Sequence, residues 1–220
     1  LERVAAEDRL RLVETYWDLR EQSARYQVLA EQLAWLEAAR GDAALEGAQG
    51  DAGNGDAASL RLDAARLAAV AERHEAHAAL IGAQCDLAVA LGRRLDELWP
   101  TGATPPHAGP YLTNLDAQPA DVAGSRAVRR RAAVLPGFSA AVWQRATAVV
   151  ECDAARATAA ERFAAGEAST DALLRAVHRQ TAATLAFLAS LTDYNRAIAA
   201  YALAVLPRRA WPLLGVSGRP

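Results

Sequence analysis

The run His74-Glu75-Ala76-His77 places two imidazoles one helical turn apart, the first pattern in the chain that could do chemistry. A helical zinc-protease site needs histidines at i and i+4 on one face. Here the spacing is i, i+3, and the other histidines, His107 and His178, stand far along the chain. These residues read as interface histidines at heptad-like positions, and no metal site is expected. Other chemistries fail on residue type. There is no Gly-x-Ser-x-Gly elbow for a nucleophile. All 24 basic residues are Arg, so no phosphate-cradling Gly-x-x-x-x-Gly-Lys loop can exist. No pair of carboxylates sits on one helix face beside an apolar stretch. Neither catalytic residues nor a cofactor are expected, and the chain reads as something other than an enzyme. Cys85 and Cys152 lack CxxC spacing, which leaves two buried free thiols or a single bridge. A net charge of −2 and a pI near 6.1 give no support to a nucleic-acid partner. Arg129-Arg130-Arg131 then reads as a solvated helix face, with a phosphate or lipid-headgroup contact as the other option.

The elements behind these residues are helices. The 220 residues are 52% hydrophobic and roughly a quarter Ala, with few β-branched side chains, a composition that favours helix over sheet. Leu12, Thr15, Leu19, Gln22, Tyr26, Leu29, Leu33 and Leu36 keep the alternating 3–4 spacing of a coiled-coil seam within a helix over about 4–39. Five glycines in residues 40–59 predict a loop. A second helix is expected over about 60–98, stopped by Pro100. Residues 101–137 hold five prolines and read as an extended connector, with room for a short helix around 125–133. A third helix over about 138–163, a turn at 164–169 capped by Ser169 or Thr170, and a fourth helix ending at Pro207 complete the pattern. Residues 208–220 read as a flexible tail.

The fourth helix carries the longest periodicity. Leu174, Val177, Thr181, Thr184, Leu188, Leu191, Asn195, Ile198, Ala202 and Val205 keep the seam unbroken. Phe187, Tyr194 and Tyr201 recur every seven residues beside it as packing residues. Asn195 either fixes the register of a buried seam or faces solvent or a pore. A helix of about 35 residues spans roughly 52 Å, while a compact chain of this size has a radius of gyration near 17 Å. The expected fold is therefore all-α: an elongated antiparallel coiled-coil bundle of two long helical hairpins, residues 1–100 and 138–207. Gly55 and Gly166 stand 111 residues apart, and Ser59/Thr170, Leu62/Leu173, Ala65/Ala176 and Leu80/Leu191 match at that offset, as duplication of one hairpin predicts. No stretch of 18 uncharged apolar residues exists, so no transmembrane helix is expected. The chain opens on Leu1 and shows no signal peptide, as a mature chain or a fragment does.

These hairpins resemble the TolC-like outer-membrane efflux proteins. The run from Arg162-Phe163-Ala164-Ala165-Gly166 through Ser169-Thr170-Asp171 to Ala176 is similar to the family's aromatic-x-x-Gly-x-x-Ser turn and following helix. Asp193-Tyr194-Asn195-Arg196-Ala197-Ile198 is similar to the end of that helix. Glu14-Thr15-Tyr16-Trp17-Asp18-Leu19 and Asp86-Leu87-Ala88-Val89-Ala90-Leu91-Gly92 resemble the opening and close of the first hairpin. Together they cover about two thirds of the chain. The resemblance implies a passive outer-membrane efflux or secretion channel. It would be a homotrimer whose hairpins form a periplasmic conduit, opening at its tip when a periplasmic adaptor protein and an inner-membrane pump engage. By position, the partner-binding tip would comprise Phe163, Gly166 and Ser169 in one hairpin and Gly55 and Ser59 in the other. Asp63 and Asp171 are the counterparts of the family's acidic gate residues, with Arg61 and Arg175 nearby. No barrel strand is legible in the sequence, so the outer membrane would be reached through a barrel not seen in this chain. The competing expectations are a soluble helical-bundle scaffold or adaptor, cytoplasmic and without membrane association, and an all-α enzyme with a polar pocket between helices.

Overall fold

The computed structural model describes residues 2–47, 52–94, 106–115, 118 and 120–205. It contains α1 (Glu2–Gly47), α2 (Ala52–Ala90), a short α3 (Ala120–Gly124), α4 (Arg126–Ala164) and α5 (Thr170–Val205), and no strand among the described residues. The fold is all-α and elongated. At 1.5 Å per residue the 46 residues of α1 run roughly 69 Å.

α1 packs antiparallel on α2, and α4 packs antiparallel on α5. The hairpins meet through α1 against α5, so the helices stand in a row, α2–α1–α5–α4, with α2 and α4 at the edges. The seams explain the pairing. α2 buries Leu62, Ala69, Ala76 and Ala83 at seven-residue steps, three of them small enough for close approach. α1 answers with Leu19, Leu29, Leu33 and Leu36. α5 is flanked on both sides and buries two stripes: Val177, Thr181, Leu191 and Asn195 on the expected seam, and Leu173, Gln180, Tyr194 and Tyr201 beside it. Three apolar clusters follow the length. Leu36, Leu62, Phe163, Leu173 and Val177 fill the turn end; towards the far end, Leu19, Ala83 and Leu87 pack between α1 and α2, and Val128, Leu135, Val142, Tyr194 and Tyr201 pack between α4 and α5.

Three boundaries correct the sequence reading. The expected loop at 40–59 is mostly helix: α1 runs on to Gly47 and α2 begins at Ala52, leaving 48–51 outside the described residues. A helical Gly costs only about 1 kcal/mol against Ala, and Ala43, Ala44, Leu45, Ala57 and Ala58 are strong helix formers between them. α2 stops at Ala90 rather than near 98. Gly92 takes φ +64°, and Arg93 N–H bonds Ala88 O while Gly92 N–H bonds Val89 O, closing a left-handed cap. Pro100 lies outside the described residues. The connector ends at Gly124, because α4 starts at Arg126 and continues through Pro136. That proline faces outward, while Ala132, Leu135 and Val142 pin both flanking turns to the core. The tail 208–220 lies outside the described residues.

Candidate functional site

The turn end holds most of the residues singled out by sequence. The α4–α5 turn is built on Gly166 at φ +71°. Glu167 N–H bonds Arg162 O at 2.8 Å and Gly166 N–H bonds Phe163 O at 3.0 Å, the paired bonds of a Schellman cap. Ser169 Oγ accepts from Ala172 N–H at 3.3 Å and caps α5. Phe163 turns inward and is buried against Leu36, Leu62 and Leu173. Ser59 is half-buried in α2. Gly55 is not at a turn: it lies inside the first part of α2, since that helix starts three residues earlier.

Both acidic residues are paired with arginine. Asp63 on α2 meets Arg40 Nε on α1 at 2.6 Å, within the first hairpin. Asp171 on α5 accepts from Arg61 Nη1 on α2 at 3.1 Å, joining the two hairpins. Arg61 stands nine residues into α2 and Asp171 one residue into α5. The first hairpin therefore projects about eight residues farther, roughly 12 Å. All four side chains are solvent-accessible, Asp63 the least at 32%, so each pair contributes at most about 1 kcal/mol.

The far end carries a second construction that the sequence did not signal. Residues 106–115 form a strap along α5. Asn195, 4% exposed, takes His107 N–H on Oδ1 at 2.9 Å and donates from Nδ2 to His107 O at 3.0 Å and Leu191 O at 2.7 Å. Tyr194 OH donates to Gly109 O at 2.8 Å, and Tyr201 OH donates to Thr113 O. Burial pushes the Tyr201 phenol up, which keeps it a donor. Asn195 thus fixes the strap rather than a helix–helix register. Phe187, Tyr194 and Tyr201 serve packing, as their spacing suggests. Beside the strap, Tyr111, Pro136, Ser139, Trp143 and Phe187 line an apolar groove of about 710 Å³.

The remaining candidates are quiet. His74 and His77 are exposed, with the His77 ring 5.5 Å from Tyr26. No group of metal-ligating side chains exists among the described residues. Cys85 and Cys152 are free and half-buried rather than fully buried. Arg129 and Arg130 are exposed on α4. No described helix is long and apolar enough to cross a membrane. Large apolar side chains are instead exposed on the two edge helices: Leu60, Leu67, Ile81 and Val89 on α2, and Val134, Trp143 and Val150 on α4. Sequence reading missed these edges because a seam repeat shows which face is apolar, not which helix has a neighbour on its outer side. The Arg61–Asp171 pair was closer to legible, since the repeat offset of 111 nearly superposes the two positions.

No family model matches the chain, and no curated protein matches it. Among solved structures, the fold matches that of OprN, described as an outer-membrane channel, at a TM-score of 0.71 and 16% identity. The match covers 91% of this chain and 66% of that one, just under two thirds of its length. The likeness is one of fold: the two helical hairpins of this chain are arranged as in part of that channel.

Proposed function

We propose that this chain is a wall segment of a passive TolC-like efflux or secretion conduit, assembled from identical copies and working without covalent chemistry. The observation that carries this reading is the open row of four helices with apolar side chains on both outer edges. A monomeric bundle closes on itself and hides such edges; this one leaves Val89 at 65% and Trp143 at 75% exposure.

The heights of those side chains support a ring. Trp143 lies 21 residues before the end of α4, level with Leu191, 21 residues after the start of α5. The Arg61–Asp171 pair sets α2 and α5 at an offset of 110, so Leu191 is level with Ile81. By the same count Val89 is level with Leu135, beside Val134 and Pro136. The α2 edge of one copy can therefore meet the α4 edge of the next without a vertical step, the condition for a closed ring rather than a filament. Three copies are the number that the family resemblance implies. In the assembly, the projecting first hairpin and the tip residues Gly166, Ser169, Asp171, Gly55, Ser59 and Asp63, with the turn anchored from inside by the buried Phe163, face a periplasmic adaptor and, through it, an inner-membrane pump. The arginine pairs at Asp63 and Asp171 brace the tip, each by at most about 1 kcal/mol. The site of action is the periplasmic side of the outer membrane.

Crosslinking tests the assembly. In a Cys85→Ser, Cys152→Ser background, Ile81→Cys and Trp143→Cys are combined in one chain and oxidised. A ladder of covalent multimers ending at a closed trimer is expected. Species that remain monomeric at high concentration, in crosslinking and light scattering alike, would overturn the proposal in favour of a free-standing scaffold.

A further inference from the structure

The two hairpins have one broad contact, α1 against α5, and in its half away from the turn three carboxylates share one guanidinium. Arg196 on α5 donates through Nη2 to Asp18 on α1 and through Nη1 to Asp193 Oδ1 on its own helix at 3.2 Å. Glu21 on α1 places Oε2 3.7 Å from the same Nη2, within reach of its charge but too far for a hydrogen bond. We infer that this cluster is a proton-controlled clamp between the hairpins: a proton taken up at Glu21 tightens the α1–α5 contact. The clamp is a property of the single chain; only its consequence, a stiffer conduit wall in mild acid, rests on the function proposed above.

The charge balance supports the direction. One guanidinium serves three carboxylates at a partly enclosed joint, so negative charge exceeds positive there even with Arg25, one helical turn from Glu21, counted. Asp18 and Asp193 already occupy the two Nη groups. Glu21 meets Arg196 through charge without a hydrogen bond to it, and its side chain is only 26% exposed. Burial pushes the Glu21 carboxyl above its ordinary value; Arg196 opposes this, Asp193 and Asp18 add to it, and Arg25 opposes it weakly. Those groups come from both helices of the joint. The folded chain therefore holds this proton more tightly than the unfolded chain does. The linked stability is absent well above the folded value and is gained as the pH falls through it towards the unfolded one. Neutral Glu21 also gains an O–H donor among carboxylate acceptors.

Urea unfolding of the full chain at pH 7.5 and 5.5 tests the clamp, comparing wild type with Glu21→Gln. The expected result is a midpoint that rises on acidification by on the order of 0.2 M more in wild type than in the variant. The variant should also exceed wild type at pH 7.5, because it carries the neutral form permanently. Carboxyl carbon NMR, with the Glu21 signal assigned by its loss in Glu21→Gln, should show that group titrating above 4.5, its ordinary value. Asp193→Asn, which removes a repelling charge, should bring the Glu21 titration back towards that value. Parallel pH dependence in wild type and Glu21→Gln, or a variant weaker than wild type at pH 7.5, would overturn the clamp. Neither result bears on ring closure, which the cysteine crosslinks read separately.

Discussion

At the scale of single residues, the polar side chains divide by burial. Asn195 is enclosed and spends both ends of its amide on backbone, so truncation strands His107 N–H and removes a bond to Leu191 O. Asn195→Ala is expected to lower stability by about 2 kcal/mol in urea unfolding. It should also speed hydrogen exchange at the His107 amide, a signature that a general packing loss would not confine there. Arg61 makes an equally visible contact to Asp171, but both side chains are more than half exposed. Arg61→Ala should therefore cost less than about 1 kcal/mol, and the same unfolding experiment checks it. A larger loss would mean that the pair is desolvated in an assembly.

At the scale of elements, α4 tolerates a proline that its local sequence argues against. Pro136 removes a helical hydrogen bond, and an interior proline costs about 3 kcal/mol in an isolated helix. The turns on either side are held by Leu135 and Val142, 1% and 2% exposed, so packing overrides propensity. Pro136→Ala should raise the unfolding midpoint, by an amount equivalent to about 1–3 kcal/mol, while the helical circular-dichroism signal is kept or increased. The glycines at 41, 53 and 55 show the same balance. They lie inside their helices without ending them, because the neighbouring Ala residues outweigh the cost, whereas Gly47 is the last residue of α1. Gly92 and Gly166 do end helices, and there the left-handed φ is what the backbone uses.

At the scale of the whole molecule, the order α2–α1–α5–α4 leaves two helices with a single flank each. Their exposed apolar side chains belong to an interface between copies under the proposed function. Val89→Asp places a charge where a neighbour's exposed Val134 and Pro136 are expected, while α2 itself loses no buried contact. Such a variant should remain folded by circular dichroism and shift to monomer in light scattering. An unchanged oligomer would move the interface elsewhere.

Much of this architecture was legible along the chain. Helix content, the seams of α1 and α5, the Gly166 turn with its Ser169 cap and the antiparallel hairpins all follow from local spacing. A 3–4 repeat reports one buried stripe whatever lies opposite. The lengths then forbid a compact ball. Tertiary structure alone decided which stripes face each other, that α5 is covered on both flanks, and that Asn195, Tyr194 and Tyr201 bind a strap 85 to 88 residues earlier. It also decided that Arg196 must serve three carboxylates at once. Those facts depend on groups distant in sequence meeting in space, and residue spacing carries no record of that.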